Sequence, residues 1–331
     1  GTVPVDEDGS AFFKVPAGVS LQMQILDEHG RAMLTEKSFF YLQPGENRSC
    51  IGCHEPEGMS PDMSMFAKMS RMQPVDLTPA AGPKYPGGMS FPRTVQPVLD
   101  RYCIECHGLK SIDGDVNLVN NGGAFPQSLR AIVDRGEHRI GLKSFTGSEK
   151  ENISRPMEYY AYSNKVAQML IDNHENVNMD HDSYMRVIEW LDTNAQATGD
   201  LFPNKIEDRR TDGRLMGELR NRAKELFAGN DKMLKLLDGP DLALVNPALP
   251  GESRLLMAPL PLDKGGWGQL DGFTGTDDPR YTEIADLIDK AIIRQRNENE
   301  NGWEPDLECG GGENWVMEAQ RQYVEMLKQK Q

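Results

Sequence analysis

Long apolar runs are missing from this sequence. None approaches the roughly 20 residues that a helical membrane span requires, and mean hydropathy is −0.57. No basic, apolar leader opens the chain, which starts on GTVPVDEDGS. It therefore reads as a mature product or a piece of a longer chain. Positive charge is in short supply: 36 Lys and Arg face 51 Asp and Glu, for a net charge of −15. That balance argues against nucleic acid and anionic membrane surfaces, and fits either basic partners or plain solubility. No Walker motif, GxGxxG string or nucleophile elbow is present. Cysteine is scarce as well. Five in 331 residues are too few to staple a chain of this length into a disulfide framework.

Four of the five cysteines nevertheless fall into two strings, CIGCH at 50–54 and CIECH at 103–107. Covalent haem attachment needs this spacing. Cys50 and Cys53, or Cys103 and Cys106, add across the two vinyl groups of one porphyrin, and the adjacent His54 or His107 is delivered under the iron. Zinc would need four converging ligands, and the strings lie 53 residues apart. The expectation is two covalently bound haem c groups. Because such attachment is made outside the cytoplasm, the expected compartment is periplasmic or extracellular.

Pattern divides the chain into four stretches. Residues 1–45 are β-rich: AFFKV, SLQMQIL and KSFFYLQ are short apolar runs, with DEHGR as a hairpin turn between the last two. Three strands make a weak domain, so this stretch reads as the remainder of a larger one. Residues 46–91 form the first haem-binding segment, rich in Pro, Gly and Met. Residues 92–200 read as a cytochrome c-like helical haem domain. In it, FPRTVQPVLDRYC sets Val95, Val98, Leu99 and Tyr102 on one face. SLRAIVDRG follows with Gly136 as C-cap. SNKVAQMLIDN is capped by Ser163 and turns Val166, Met169 and Leu170 inward. DSYMRVIEWLDTNA starts near Asp182 and buries Met185, Ile188 and Leu191. Residues 201–331 are a helical C-terminal domain without a haem motif. It comprises LMGELRNRAKELF, RYTEIADLIDKAII with Thr276 as cap, and a terminal helix NWVMEAQRQYVEMLKQ. The fold class is mainly α with a small β N-terminal part.

The sixth iron position separates electron transfer from catalysis, since an open position admits a substrate. His174 follows the SNKVAQMLIDN helix, 67 residues after His107, where a small cytochrome supplies its distal ligand. Met179 is the alternative to His174. His29 reads as a turn residue, His138 as a loop residue and His181 as a cap or solvated residue. The first haem has no evident His partner. Met59, Met63 and Met65 are nearest, and an open iron is the alternative. Cys309 reads as a free structural thiol. Asp113, Asp115 and Asn117 begin like a calcium loop, but Leu118 and Ala124 stand at its glycine and glutamate positions, so the segment reads as a turn. Tyr159, Tyr160 and Tyr162 either line a haem edge or pack.

Several strings are more specific than CxxCH itself. PVDEDGSAFFKVPAG, LQMQILDEHGRAM and SFFYLQPGENRSCIGCHE, with MSFPRTVQPVLDRYCIECHG and HENVNMDHDSYMRVIEWLDTNA, resemble the C-terminal cytochrome region of hydrazine synthase alpha-subunit-like proteins. The resemblance covers residues 3–200, and 240–295 more loosely. It implies a diheme region, often preceded by a β-propeller, and His ligation of the second haem at His174. In catalytic members a Tyr four residues after the first haem's His binds iron; here that position is Gly58.

The leading expectation is a diheme c-type cytochrome that exchanges electrons with a redox partner protein or other subunits of a complex. The alternative is a haem enzyme with an open iron at the His54 haem, acting on a small nitrogen compound or peroxide. No catalytic residue is assigned.

Overall fold

The computed structural model describes residues 1–36, 38–51, 67–82, 89–123, 125–133, 156–199 and 209–294. It is mostly helical, with a two-stranded sheet near the N-terminus. Cys53, His54, Gly58, Met59, Met63, Met65, Gly136, His138, Cys309 and the expected terminal helix lie outside the described residues.

Strands β1 (Gln24–Leu26) and β2 (Ala32–Thr35) pair antiparallel across the Asp27–Arg31 turn. The turn closes because Asp27 accepts backbone N–H groups from His29 and Arg31 and also grips the Arg31 guanidinium. The partner of β1 is thus AMLT, directly after the turn. KSFFYLQ enters only through a bridge between Leu21 and Phe40, and AFFKV through one between Phe13 and Val75. The apolar content of the two outer runs suggested strands, but a three- to four-residue hairpin leaves little edge for them to extend.

The helices in residues 91–192 are short. Helices α1 (Phe91–Thr94) and α2 (Gln96–Tyr102) are split at Val95, because Pro97 has no N–H to donate back along a continuous helix. Their apolar face is the expected one, with Val95, Val98 and Leu99 buried and Tyr102 half-buried. Helix α3 (Gln127–Val133) adds Leu129 and Ile132. Helix α4 (Lys165–Ile171) is capped by Asn164 rather than Ser163: the Asn164 side chain accepts from Val166 N at 2.9 Å. Ala167 is its buried residue, and Met169 faces outward.

Helix α5 (His181–Asp192) starts beside Asp182 as expected and is capped by Asp180, not His181, with Asp180 accepting from Ser183 N at 2.8 Å. Ile188 and Leu191 are buried as expected. Met185 is only half-buried, and Val187 and Trp190 complete the face. Trp190 packs on Phe91, ring centres 5.3 Å apart. The crossing of this last helix over the first pair builds the core. Full burial of each such ring contributes roughly 1.5–3 kcal/mol.

Strand β3 (Arg210–Thr211) opens a second core. Helix α6 (Gly213–Leu226) follows, capped by Asp212. Then come α7 (Asp231–Leu236), α8 (Asp241–Leu244), α9 (Arg254–Met257) and α10 (Pro279–Ala291), which runs into strand β4 (Ile292–Ile293). β4 pairs antiparallel with β3. The cap of α10 is Asp278, not Thr276, since its carboxylate accepts from Arg280 N at 2.9 Å. Met216, Leu219, Leu255, Ile284 and Ile288 meet in this core.

Candidate cofactor site

Helix α2 delivers the CIECH string. It ends at Cys103, whose N–H donates to Leu99 O; Cys106 and His107 then donate back to Cys103 O at 3.2 and 2.9 Å. The two cysteines and the histidine therefore share one tight turn. Cys103 is half-buried and Cys106 exposed. Burial, with the nearby Asp100 carboxylate adding to it, pushes the Cys103 thiol up to about 12.

The His107 ring is oriented from behind. Its Nδ1 lies 3.3 Å from Val116 O, a contact that turns the other ring nitrogen outward, as in most metal-ligating histidines. The loop between them depends on Gly108. Its φ is +148°, and a Cβ there would meet Val119 Cγ2 at 2.4 Å and Asn117 Oδ1 at 2.8 Å. Asp113–Asp115 forms a single tight turn with Gly114 at φ 63°, and Asn117 accepts from Val119 N. This agrees with the turn reading of that segment.

His174 comes to the same place from α4. Its ring centre is 6.3 Å from that of His107, with the ring planes 27° apart. Face-to-face packing would bring the rings much closer. A metal held between two imidazole nitrogens at the roughly 2 Å usual for histidine–metal bonds puts the ring centres about 6 Å apart. The pair thus fits one iron with two nitrogen ligands. Among the described residues no three His, Cys, Asp or Glu side chains gather into a metal-holding group; haem iron asks only two ligands of the protein. Met179 is half-buried and packs against the apolar core.

The distal segment takes an unusual path to reach this position. Asn173, Glu175 and Asn176 all have left-handed backbone, with φ of 55°, 48° and 58°. Asparagine tolerates this region, but Glu175 there costs roughly 1–2 kcal/mol, a cost that persists only where the surroundings impose it. The surroundings include Asp180, which accepts from Tyr102 OH at 2.8 Å and Arg101 Nη1 at 2.6 Å while capping α5. The end of α2 and the end of the 173–180 loop are thereby tied together beside the CIECH turn.

Two features were not anticipated from sequence. Asp100, 2% exposed, accepts from Gln96 Nε2 at 2.8 Å, and Gln96 in turn accepts from Ser128. Burial lifts the Asp100 carboxyl to about 7, against the pull of Gln96 and Arg254. Glu105, inside the CIECH string, is bonded by Lys110 and by Arg254 of α9. An ionisable residue on the apolar side of α2 was the only available signal for the first; nothing local signalled the second.

The remaining sequence-singled residues lie elsewhere. His29 sits in the β1–β2 turn, where its carbonyl accepts from Tyr184 OH at 2.9 Å. His181 is exposed at the start of α5. The Arg31 guanidinium lies 4.3 Å from the Tyr162 ring centre, so that tyrosine joins the hairpin to the helical unit that follows it. Cys50 is exposed. No helix among the described residues is long and apolar enough to cross a membrane.

No curated protein and no solved structure matches this chain. Residues 1–55 match the family model of the hydrazine synthase alpha subunit middle domain. The matched stretch holds the β1–β2 hairpin and the whole CIGCH string. It relates this part of the chain to hydrazine synthase, through a domain described as a middle one rather than a C-terminal one.

Proposed function

We propose that the chain is a diheme c-type cytochrome that passes electrons to or from a redox partner protein or a neighbouring subunit. The observation that carries this reading is the opposed His107–His174 pair. Cys103 and Cys106 would hold one haem covalently, with His107 and His174 as axial ligands. Cys50, Cys53 and His54 would hold the other. A bound haem supplies one-electron chemistry through its ferric and ferrous states. Two strong nitrogen ligands leave no iron position for a substrate, so the second site favours electron transfer over catalysis. The Val116 carbonyl fixes the His107 ring, the Tyr102–Asp180–Arg101 contacts fix the distal loop, and the apolar core excludes water. The acidic surface favours a basic docking partner. Covalent attachment places the protein in the periplasm or outside the cell.

A second reading has one observation in its favour. The stretch that matches the hydrazine synthase alpha model contains the first CxxCH string. The His54 haem could then be an enzyme centre with an open iron, acting on a small nitrogen compound or peroxide. Gly58 stands where the catalytic members of the resembled group carry the iron-binding Tyr, which weighs against hydrazine formation itself.

Two measurements on the native protein separate these readings. Peptide mass and a pyridine haemochromogen assay count attached haems, with two per chain expected. A carbon monoxide difference spectrum after dithionite reduction then reports open iron. No change supports pure electron transfer. Carbon monoxide bound at one haem per chain supports the enzyme reading, with His54 as the place to look. Unmodified cysteines in exported protein would sink both.

A further inference from the structure

The unit at 209–294 contains none of the expected haem ligands, yet its polar contacts converge on the helices and turn that carry Cys103, Cys106 and His107. Asn246 Nδ2 donates to Pro92 O at 2.8 Å, and Arg93 Nε donates to Ala248 O at 3.2 Å. Gln269 Nε2 donates to Arg101 O at 2.8 Å. Arg186 of α5 grips both carboxylate oxygens of Glu252, at 2.7 and 3.2 Å. These contacts dock one unit on the other.

The contact made by Arg254 differs in kind. Arg254 is 8% exposed, and its Nη2 donates to Glu105. Glu105 is the residue just before Cys106, inside the attachment string itself, and Lys110 holds its other oxygen at 2.7 Å. The Arg254 charge also acts on Asp100, one turn before Cys103. A single buried guanidinium from outside the haem unit thus faces the two acids that bracket Cys103. An apolar side chain would fill this interface at lower desolvation cost, so the charge needs its own explanation. Because the group is desolvated, its field is screened far less than that of a surface arginine.

We infer that Arg254 is a positioning residue of the second haem site: the 209–294 unit presents it to Glu105 to hold the attachment turn and to raise the reduction potential of an iron ligated by His107. The inference rests on the haem reading above. A fixed positive charge disfavours the oxidised, more positive form of a nearby redox centre, so its removal lowers the potential.

The test is a potentiometric titration of the holoprotein at fixed pH and ionic strength, with variants Arg254→Gln, Arg254→Lys and Glu105→Gln. Arg254→Gln is expected to lower the potential of the six-coordinate haem and leave the other in place. Arg254→Lys should restore most of that shift, and Glu105→Gln should shift the same haem upward. A melting temperature that falls while the potential stays fixed would mean mere interface packing, and would overturn the inference. Equal shifts for Gln and Lys would overturn it too, because the charge would then be irrelevant. If Arg254→Gln fails to fold, Arg254→Met, which keeps the side chain's bulk without its charge, decides in its place: a lowered potential supports the inference and an unchanged one defeats it. Unmodified thiols at Cys103 and Cys106 in the wild type would instead defeat the haem reading on which it stands.

Discussion

The two helical units handle their backbones differently. All eight left-handed non-glycine residues among the described ones lie between Asp115 and Ala195, inside the unit that holds His107 and His174. In the 209–294 unit positive φ occurs only at Gly229, Gly265 and Gly268. Both units have apolar cores built from short capped helices, so packing quality does not separate them. The difference is what each backbone must deliver. One brings His107 and His174, from separate loops, to ring centres 6.3 Å apart; the other only has to close its own core and dock. Local strain concentrates where a position is over-determined by its surroundings.

The largest expected effect tests whether the strained loop delivers a ligand. His174→Ala should convert the second haem from six- to five-coordinate. One additional carbon monoxide should then bind per chain after reduction. Met179→Ala should leave both spectra unchanged while costing about 1–3 kcal/mol of stability, since Met179 packs on the core. An unchanged spectrum in His174→Ala, with a changed one in Met179→Ala, would make the strain incidental and return the distal position to the methionine.

A core truncation asks whether the two units are comparably packed. Trp190→Ala should cost about 3–5 kcal/mol, and Leu219→Ala in the other core about 2–5 kcal/mol. Guanidinium unfolding of the holoprotein measures both. If Trp190→Ala cost less than 1 kcal/mol, the haem unit would be held by its cofactor rather than by the Phe91–Trp190 contact.

Acid titration gives a smaller, signed effect. Asp100 and Asp192 have carboxyls lifted by burial to about 7 and about 6. Each binds its proton more tightly folded than unfolded, where the ordinary value is 3.8. The stability they contribute is complete below pH 3.8 and is lost as pH rises through those folded values. Asp100→Asn should therefore flatten the stability profile between about pH 4 and 7, by on the order of 3–4 kcal/mol. A profile unchanged in the variant would show that Asp100 is not buried as an acid. No such buried acid is found among the described residues of the 209–294 core, where Asp278 is instead held ionised by Arg280.

Much of the helical stretch from 91 to 192 was legible because its signals are local. The CxxCH spacing, the apolar face of α2 and the position of His174 after α4 all follow from short windows of sequence. Two caps were misplaced by one or two residues because Asn164 and Asp278 each stand close to another good capping residue, and only the observed hydrogen bond decides between them. The hairpin partner was misread because KSFFYLQ is more apolar than AMLT, yet chain connectivity favours the nearer segment. Three features had no local signature. The Glu105–Arg254 pair joins residues 149 apart, the β3–β4 pairing joins the two ends of one unit, and Asp180 serves three partners at once.

The smallest effect is the most direct reading of the contrast between the units. Glu175 is exposed with φ of 48°, so a glycine there loses few contacts and escapes the left-handed penalty. That gain of roughly 1–2 kcal/mol is offset in part by the greater freedom of glycine in the unfolded chain. Glu175→Gly should stabilise the protein by about 0.5–1 kcal/mol. Gly265 is its mirror in the other unit: φ is +84° and an added Cβ meets nothing within 4 Å. Gly265→Ala should therefore destabilise by about 1 kcal/mol through backbone conformation alone. Both are measured by thermal unfolding of the holoprotein under one set of conditions. Opposite signs would establish that the distal loop carries strain that the second unit avoids. If Glu175→Gly were destabilising, the left-handed turn would be the relaxed state of that sequence, and His174 would reach its position without stored cost.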